Sequence, residues 1–114
     1  MTPHYLEIVT EDVDAVCAAY EAAHGVSFGP AVPELGGART AVMAGGGEVG
    51  VRGPLRPGEA PVVRPYWRVQ DIDAAVAAVA AQGATIAMAP TDMPGRGRFA
   101  IYLQGGVDHG LWEV

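Results

Sequence analysis

The chain spells much the same thing twice. Asp12-Val13-Asp14-Ala15 returns as Asp71-Ile72-Asp73-Ala74 at an offset of 59, and Ala23-His24-Gly25-Val26-Ser27-Phe28 returns as Ala81-Gln82-Gly83-Ala84-Thr85-Ile86 at 58. A fixed period of this length is what one supersecondary unit used twice leaves in a sequence. In both copies an alternating run passes through an acidic cap into a helical stretch and leaves through a glycine into a β-prone run. With 114 residues there is room for one core of ordinary size but not for two independent ones. The copies are therefore expected to share one domain.

In the first copy, Tyr5 to Val9 alternates, with Leu6 and Ile8 on one face and Tyr5, Glu7 and Val9 on the other. Thr10 and Asp12 offer cap oxygens, and Val13, Val16, Cys17 and Tyr20 recur at helical spacing up to His24, with Gly25 as the stop. Val26 to Phe28 is expected to start a strand, and Gly29-Pro30, Pro33, Gly36 and Gly37 mark turns. Ala38 to Ala44 and Glu48 to Arg52 read as strands around a Gly45-Gly46-Gly47 hairpin turn. Residues 53–62, GPLRPGEAPV, hold three prolines and two glycines and are expected to be an ordered linker without regular structure.

The second copy repeats the plan. Arg64 to Val69 places Arg64, Tyr66 and Arg68 opposite Pro65, Trp67 and Val69. Asp71 caps a helix whose buried stripe is Ile72, Ala75, Val76 and Val79, and Gly83 ends it. Ala84 to Ala89 reads as a strand and Pro90 to Gly97 as a loop. Arg98 to Gln104 sets Phe99, Ile101 and Leu103 opposite Arg98, Ala100 and Tyr102, and His109 to Val114 forms the last strand. The expected fold class is α+β: two βαβββ modules, 3–53 and 64–114 with a linker at 54–63, forming curved mixed sheets around an open cavity.

Thirteen acidic residues against seven basic ones give a formal charge of −6, which repels polyanions and argues against a nucleic-acid partner. No stretch reaches the ~18 apolar residues of a membrane span, and no targeting peptide opens the sequence, so a cytoplasmic location is expected. The single cysteine, Cys17, can form no internal disulfide and falls on the apolar stripe of a helix, where an inert buried thiol is the usual outcome.

Two βαβββ modules, the D-x-D-A-A-V helix entry at Asp71 to Val76, the P-x-D-x-P-G-x-G-R-F-A run from Pro90 to Ala100 and the terminal Gly110-Leu111-Trp112-Glu113 resemble the vicinal oxygen chelate superfamily. That superfamily contains glyoxalase I, the bleomycin-resistance proteins and the extradiol dioxygenases. The resemblance covers nearly the whole chain and implies a cavity for a small ligand or a metal. It places metal ligands, usually His and Glu, at the start of each module's first strand and on each module's last strand. Here those slots hold Tyr5, Arg64, Arg52 or Gly53, and Glu113. Arginine has no lone pair to give a metal, and a divalent ion needs three or four converging donors. His4 neighbours the Tyr5 slot but faces the other way unless a bulge intervenes. His109 and Glu113 share a face about 13 Å apart.

By parity the cavity-facing set is Tyr5, Glu7, Arg52, Arg64, Tyr66, Arg68, Arg98, Tyr102, Leu111 and Glu113. Tyrosines and arginines beside carboxylates suit an aromatic or anionic small molecule. The same arginines could instead neutralise Glu7 and Glu113 in a structural ion-pair network. Trp67 and Trp112 are expected to pack against the helix. The leading expectation is a metal-independent small-molecule-binding protein of the glyoxalase/bleomycin-resistance type, sequestering a drug-like or secondary metabolite, with no cofactor and with a homodimer as its assembly. A divalent metal is the less favoured alternative. The rival functions are a lyase, isomerase or oxygenase acting on a carbonyl or aromatic compound, with Glu113 or Glu7 as base, and a structural or regulatory dimer without a ligand.

Overall fold

The computed structural model describes all residues from Met1 to Val114. They form two compact units, one spanning Tyr5–Val63 and the other Arg64–Val114 together with Met1–His4.

The first unit runs β1 (Pro3–Val9), α1 (Val13–His24), β2 (Ala31–Val32), a 3-10 turn at Pro33–Leu35, β3 (Ala38–Val42) and β4 (Glu48–Arg52). Its strands lie in the order β2-β3-β4-β1, with β1 parallel to β4 and the remaining pairs antiparallel. The apolar stripe of α1 does what its spacing requires. Val13, Val16, Cys17 and Tyr20 pack on Leu6 and Ile8 of β1, Val49 and Val51 of β4, Ala41 and Phe28. Burial pushes the Cys17 thiol pKa up, as expected of an inert thiol. Gly25 closes the helix in the left-handed conformation at φ 67°, which a side chain would resist.

Two local expectations fail here. The Asp12 side chain makes no capping bond; the Thr10 hydroxyl oxygen accepts the N–H of Asp12 itself at 3.0 Å. Val26 to Phe28 is not a strand. The segment is held by single bonds: the Phe28 N–H donates to the Glu21 carboxylate at 2.9 Å, and the Arg39 guanidinium reaches the carbonyl of Gly29 at 3.0 Å. Side chains thus satisfy the backbone that a ladder would otherwise have paired.

The second unit runs β5 (Val62–Arg68), α2 (Ile72–Ala81), β6 (Thr85–Met93), β7 (Gly97–Gln104) and β8 (Val107–Glu113), with strand order β5-β8-β7-β6. Again the first and last strands are parallel and the others antiparallel. Asp71 caps α2 as its sequence suggests, accepting the Ala74 N–H at 3.0 Å. Ile72, Val69, Ala75 and Val76 pack on Ala100, Tyr102 and Leu111.

The expected loop at 90–97 is largely strand: β6 continues to Met93 and pairs across a tight turn with Gly97. Pro90 is tolerated because the ladder slips between Ile86 and Met88 and again between Met88 and Thr91, and such bulges are where an edge strand can house a residue without an N–H. No helix is long and apolar enough to cross a membrane.

Candidate functional site

Each unit turns one face of its strands to its helix and the other away. In the first unit Val49 and Val51 point into the core under α1, so Gly50 and Arg52 point the other way, beside Tyr5 and Glu7 of β1. Tyr5 is buried and lies across Gly50, where any Cβ would run into the Tyr5 hydroxyl and ring. Arg52 is the centre of a buried ion triad. Its Nε donates to Glu7 at 2.8 Å, its Nη1 and Nη2 each donate to the Glu59 carboxylate at 3.0 Å, and Nη1 also reaches the Gly53 carbonyl at 3.1 Å. The side chains of Arg52, Glu7 and Glu59 are only 7%, 12% and 12% exposed.

Burial works against the charge on Arg52, but the hydrogen bonds it donates to Glu59 and Glu7 outweigh it and raise the guanidinium pKa above its ordinary value. In return the Arg52 hydrogen bonds hold the Glu59 carboxyl down at about 2. Glu59 also accepts the Leu55 N–H at 2.7 Å, so it fastens the 53–61 loop to the end of β4. An open groove of about 490 Å³ runs along that loop between Glu11 and residues 54–59; of the triad it touches only Glu59.

In the second unit the face turned from α2 carries Arg64 and Tyr66 of β5, Phe99 of β7 and Trp112 of β8. Tyr66 lies on Gly110, where a Cβ would come within 2.6 Å of the ring and 2.8 Å of the Pro65 carbonyl. Around it stands an aromatic group: Tyr66 meets Trp112 edge-on at 5.6 Å and Phe99 at 6.1 Å, Phe99 and Trp112 are 5.8 Å apart, and His4 leans on Trp112 at 5.3 Å. The Trp112 indole donates to the Arg96 carbonyl at 2.8 Å, which fixes its orientation. Arg64 is buried and donates to Asp108 at 2.8 Å.

The structure therefore divides the residues picked from parity. Tyr5, Glu7 and Arg52 share the outward face of the first unit, and Arg64 and Tyr66 share that of the second, while Arg68 is exposed. Arg98, Tyr102, Leu111 and Glu113 are on the helix side instead. Tyr102 and Leu111 pack with α2, and Arg98 clasps Asp73 of α2 at 3.0 and 3.2 Å. This pair lowers the Asp73 pKa and raises that of Arg98. The Glu113 carboxylate accepts the N–H of Ile72 at 2.9 Å, so it caps the first turn of α2 rather than facing a ligand. Trp112, expected beneath the helix, is on the opposite face with Tyr66. β7 and β8 present the opposite faces to those expected, since both sides of each strand carry apolar residues and Ala100, Tyr102 and Leu111 pack with α2. Small Ala100 fits under an alanine-rich helix; bulky Phe99 does not.

Glu59 and Asp108 are not among the candidates the sequence offers; Phe99, expected on the helix side, and His4, considered beside a metal slot, instead meet at Trp112. Glu59 sits in a Pro/Gly-rich stretch and carries no local signal. Gly50 and Gly110 did carry one: a glycine inside a strand marks close approach of another group, here Tyr5 and Tyr66. His109 stacks on Tyr102 at 4.8 Å on the helix side. The donor set does not fit a divalent metal, since two of the slots are arginines engaged with carboxylates, Glu113 is committed to α2, and no three His, Cys, Asp or Glu side chains converge.

The order of elements, strand-helix-three strands in each unit with parallel first and last strands, defines an α+β protein of paired βαβββ units. The fold is that of the vicinal oxygen chelate superfamily. The chain is 34% identical over 96 residues, 83% of its length, to CFP32 of Mycobacterium bovis and of Mycobacterium tuberculosis, a protein provisionally named a glyoxylase. The chain spans only 37% of the length of those relatives. No family model matches it. Among solved structures, it resembles methylmalonyl-CoA epimerase of Streptomyces coelicolor bound to 2-nitronate-propionyl-CoA (20% identity, 99% of this chain and 96% of that one, TM-score 0.69). The Mycobacterium tuberculosis epimerase is equally similar (20%, 98% and 87%, 0.69), and the hypothetical protein BH1468 of Bacillus halodurans matches at 14% identity over 99% and 94% with a TM-score of 0.71. These likenesses establish the fold.

Proposed function

We propose that this is a metal-independent small-molecule-binding protein of the glyoxalase type, built as a single domain over 1–114 from two copies of one module. The observation that carries the reading is the fate of the family's ligand slots. Tyr5 is packed on Gly50, Arg52 is held by Glu7 and Glu59, and Arg64 is paired with Asp108. Guanidinium groups cannot ligate a metal, yet they recognise planar anions well.

The ligand side is supported by the aromatic group of the second unit. Phe99 and His4 are half-buried beside the fixed ring of Trp112, a surface suited to stacking a planar aromatic compound. The expected ligand is therefore a flat aromatic molecule carrying an acidic group, sequestered rather than transformed. A thermal-shift and tryptophan-fluorescence screen of aromatic carboxylates in chelator-treated protein tests it. Saturable quenching that weakens about five-fold or more in Phe99→Ala is the expected result, the loss of an aromatic contact being worth about 1 kcal/mol or more. Equal response of wild type and Phe99→Ala to every aromatic compound contradicts it.

A second reading draws on the fold shared with methylmalonyl-CoA epimerases, which are isomerases by name. In that reading Glu7, the carboxylate on the outward face of β1, is the candidate base. Unchanged turnover of an acyl thioester by Glu7→Gln removes it. A homodimer is also proposed, because β6 is an exposed edge strand of nine residues and such edges usually need cover; light scattering after size exclusion reads the chain number.

A further inference from the structure

Whether a guanidinium can receive the acid of a ligand depends on what already holds it. In the second unit Arg64 is buried and donates to Asp108 at 2.8 Å, and Arg98 clasps Asp73 at 3.0 and 3.2 Å. Arg68, the last residue of β5, differs from both. It is exposed, and no carboxylate engages its head. Its backbone is nonetheless fixed: the Arg68 N–H donates to the Thr2 carbonyl at 2.8 Å, and the Val69 N–H that follows donates to the Trp112 carbonyl at 2.9 Å.

The strand register sets this arginine in line with the aromatic group. Arg68 pairs with Trp112 across the β5–β8 ladder, and Phe99 pairs with Trp112 across the β7–β8 ladder. Directly paired residues project to the same side of a sheet. Arg68, Trp112 and Phe99 therefore form one row on the face turned from α2, spanning two strand spacings, about 10 Å. Trp112 in the middle is 3% exposed and its indole N–H is taken by the Arg96 carbonyl, so it supplies a floor and no polar group. In a chain of formal charge −6, an arginine without a carboxylate partner is a local exception to a field that otherwise turns anions away.

We propose that Arg68 is the residue that selects an acidic ligand: its guanidinium fork receives the carboxylate of an aromatic acid whose ring stacks on Phe99 and His4. The proposal rests on the reading of this aromatic face as the ligand surface, and it names the group that favours an acid over a neutral compound of the same shape. It also separates the arginines by role. Arg52 and Arg64, in the ligand slots, are engaged by carboxylates of the chain itself, whereas the five donors of Arg68 are open to a bidentate acceptor.

The test titrates naphthoate and its methyl ester into wild type, Arg68→Gln, Arg68→Glu, Arg56→Gln and Phe99→Ala at low salt, read by tryptophan quenching and calorimetry. Wild type is expected to prefer the acid at least about five-fold, the upper end for one exposed ion pair, and to lose most of that preference in molar salt. Arg68→Gln should bind the two compounds equally, with ester affinity as in wild type, and Arg68→Glu should prefer the ester. Arg56→Gln removes an exposed arginine of the first unit and should behave as wild type, which separates a contact from a change in net charge. No preference in wild type, the same preference in wild type and Arg68→Gln, or an equal loss in Arg56→Gln overturns the proposal; if Phe99→Ala still weakens both compounds, the aromatic face stands as the ligand surface. Failure of wild type to bind either compound, or binding that Phe99→Ala leaves unchanged, overturns that reading and the proposal with it.

Discussion

Glu59→Gln should cost this protein a large part of its stability, and by an amount that depends on pH in a defined way. The Arg52 hydrogen bonds lower the Glu59 carboxyl from 4.5 to about 2 in the folded chain, which corresponds to about 3 kcal/mol. Its side chain is only 12% exposed, so solvent screens the pair little, and the figure agrees with the ~3–5 kcal/mol usual for breaking a buried pair. The glutamine amide oxygen can still accept one Arg52 N–H, which leaves about 2–3 kcal/mol as the expected loss at neutral pH. Because the folded pKa is depressed, the contribution is fully present above pH 4.5 and disappears as pH falls through 4.5 toward 2. Urea unfolding of wild type and variant at several pH values reads it. The gap should be about 2–3 kcal/mol at pH 7, less than half of that by pH 3, and near zero below pH 2. A gap under about 0.5 kcal/mol at pH 7, or one that stays constant down to pH 3, refutes the triad as described.

Gly110→Ala should destabilise by about 2–3 kcal/mol, since its Cβ would meet both the Tyr66 ring and the rigid Pro65 carbonyl. Combined with Tyr66→Ala the two costs should fall short of additive by more than about 0.5 kcal/mol in a double-mutant cycle, and strict additivity would show that the ring lies elsewhere. Asp71→Ala, which removes the side-chain cap of α2, should cost about 1 kcal/mol, whereas Asp12→Ala, whose side chain makes no capping bond, should change denaturation midpoints little. Glu113→Gln should lower stability through the start of α2 and leave ligand affinity unchanged; weaker binding with unchanged stability would place Glu113 at the ligand after all.

The architecture could be read because its signals are local and stated twice. The Asp71 cap, the helical spacing of Val13, Val16, Cys17 and Tyr20, and the terminating Gly25 each specify their element without help from the rest of the chain. The outward faces of β1 and β5 were legible for the same reason: Tyr5, Glu7, Arg64 and Tyr66 are polar or amphipathic residues alternating with plainly apolar ones. In β7 and β8 the alternation exists, but neither side is clearly the polar one. There Ala100 and Leu111 face α2 because of the space beneath an alanine-rich helix, a tertiary fact with no local trace. Glu59 was hidden for a third reason. Its partner Arg52 lies across a loop without periodicity, and a charge in such a loop looks the same whether it is solvated or buried against a cation.

The central claim is that arginines stand in ligand slots of both units and that ligand binding needs no metal. Elemental analysis of full-length protein purified without chelator, followed by titration with an aromatic carboxylate before and after exhaustive treatment with EDTA, tests it most directly. The account predicts far less than one transition or alkaline-earth metal ion per chain and the same ligand affinity in both samples. One tightly held ion per chain, with affinity lost on chelation and restored by adding the ion back, would contradict it.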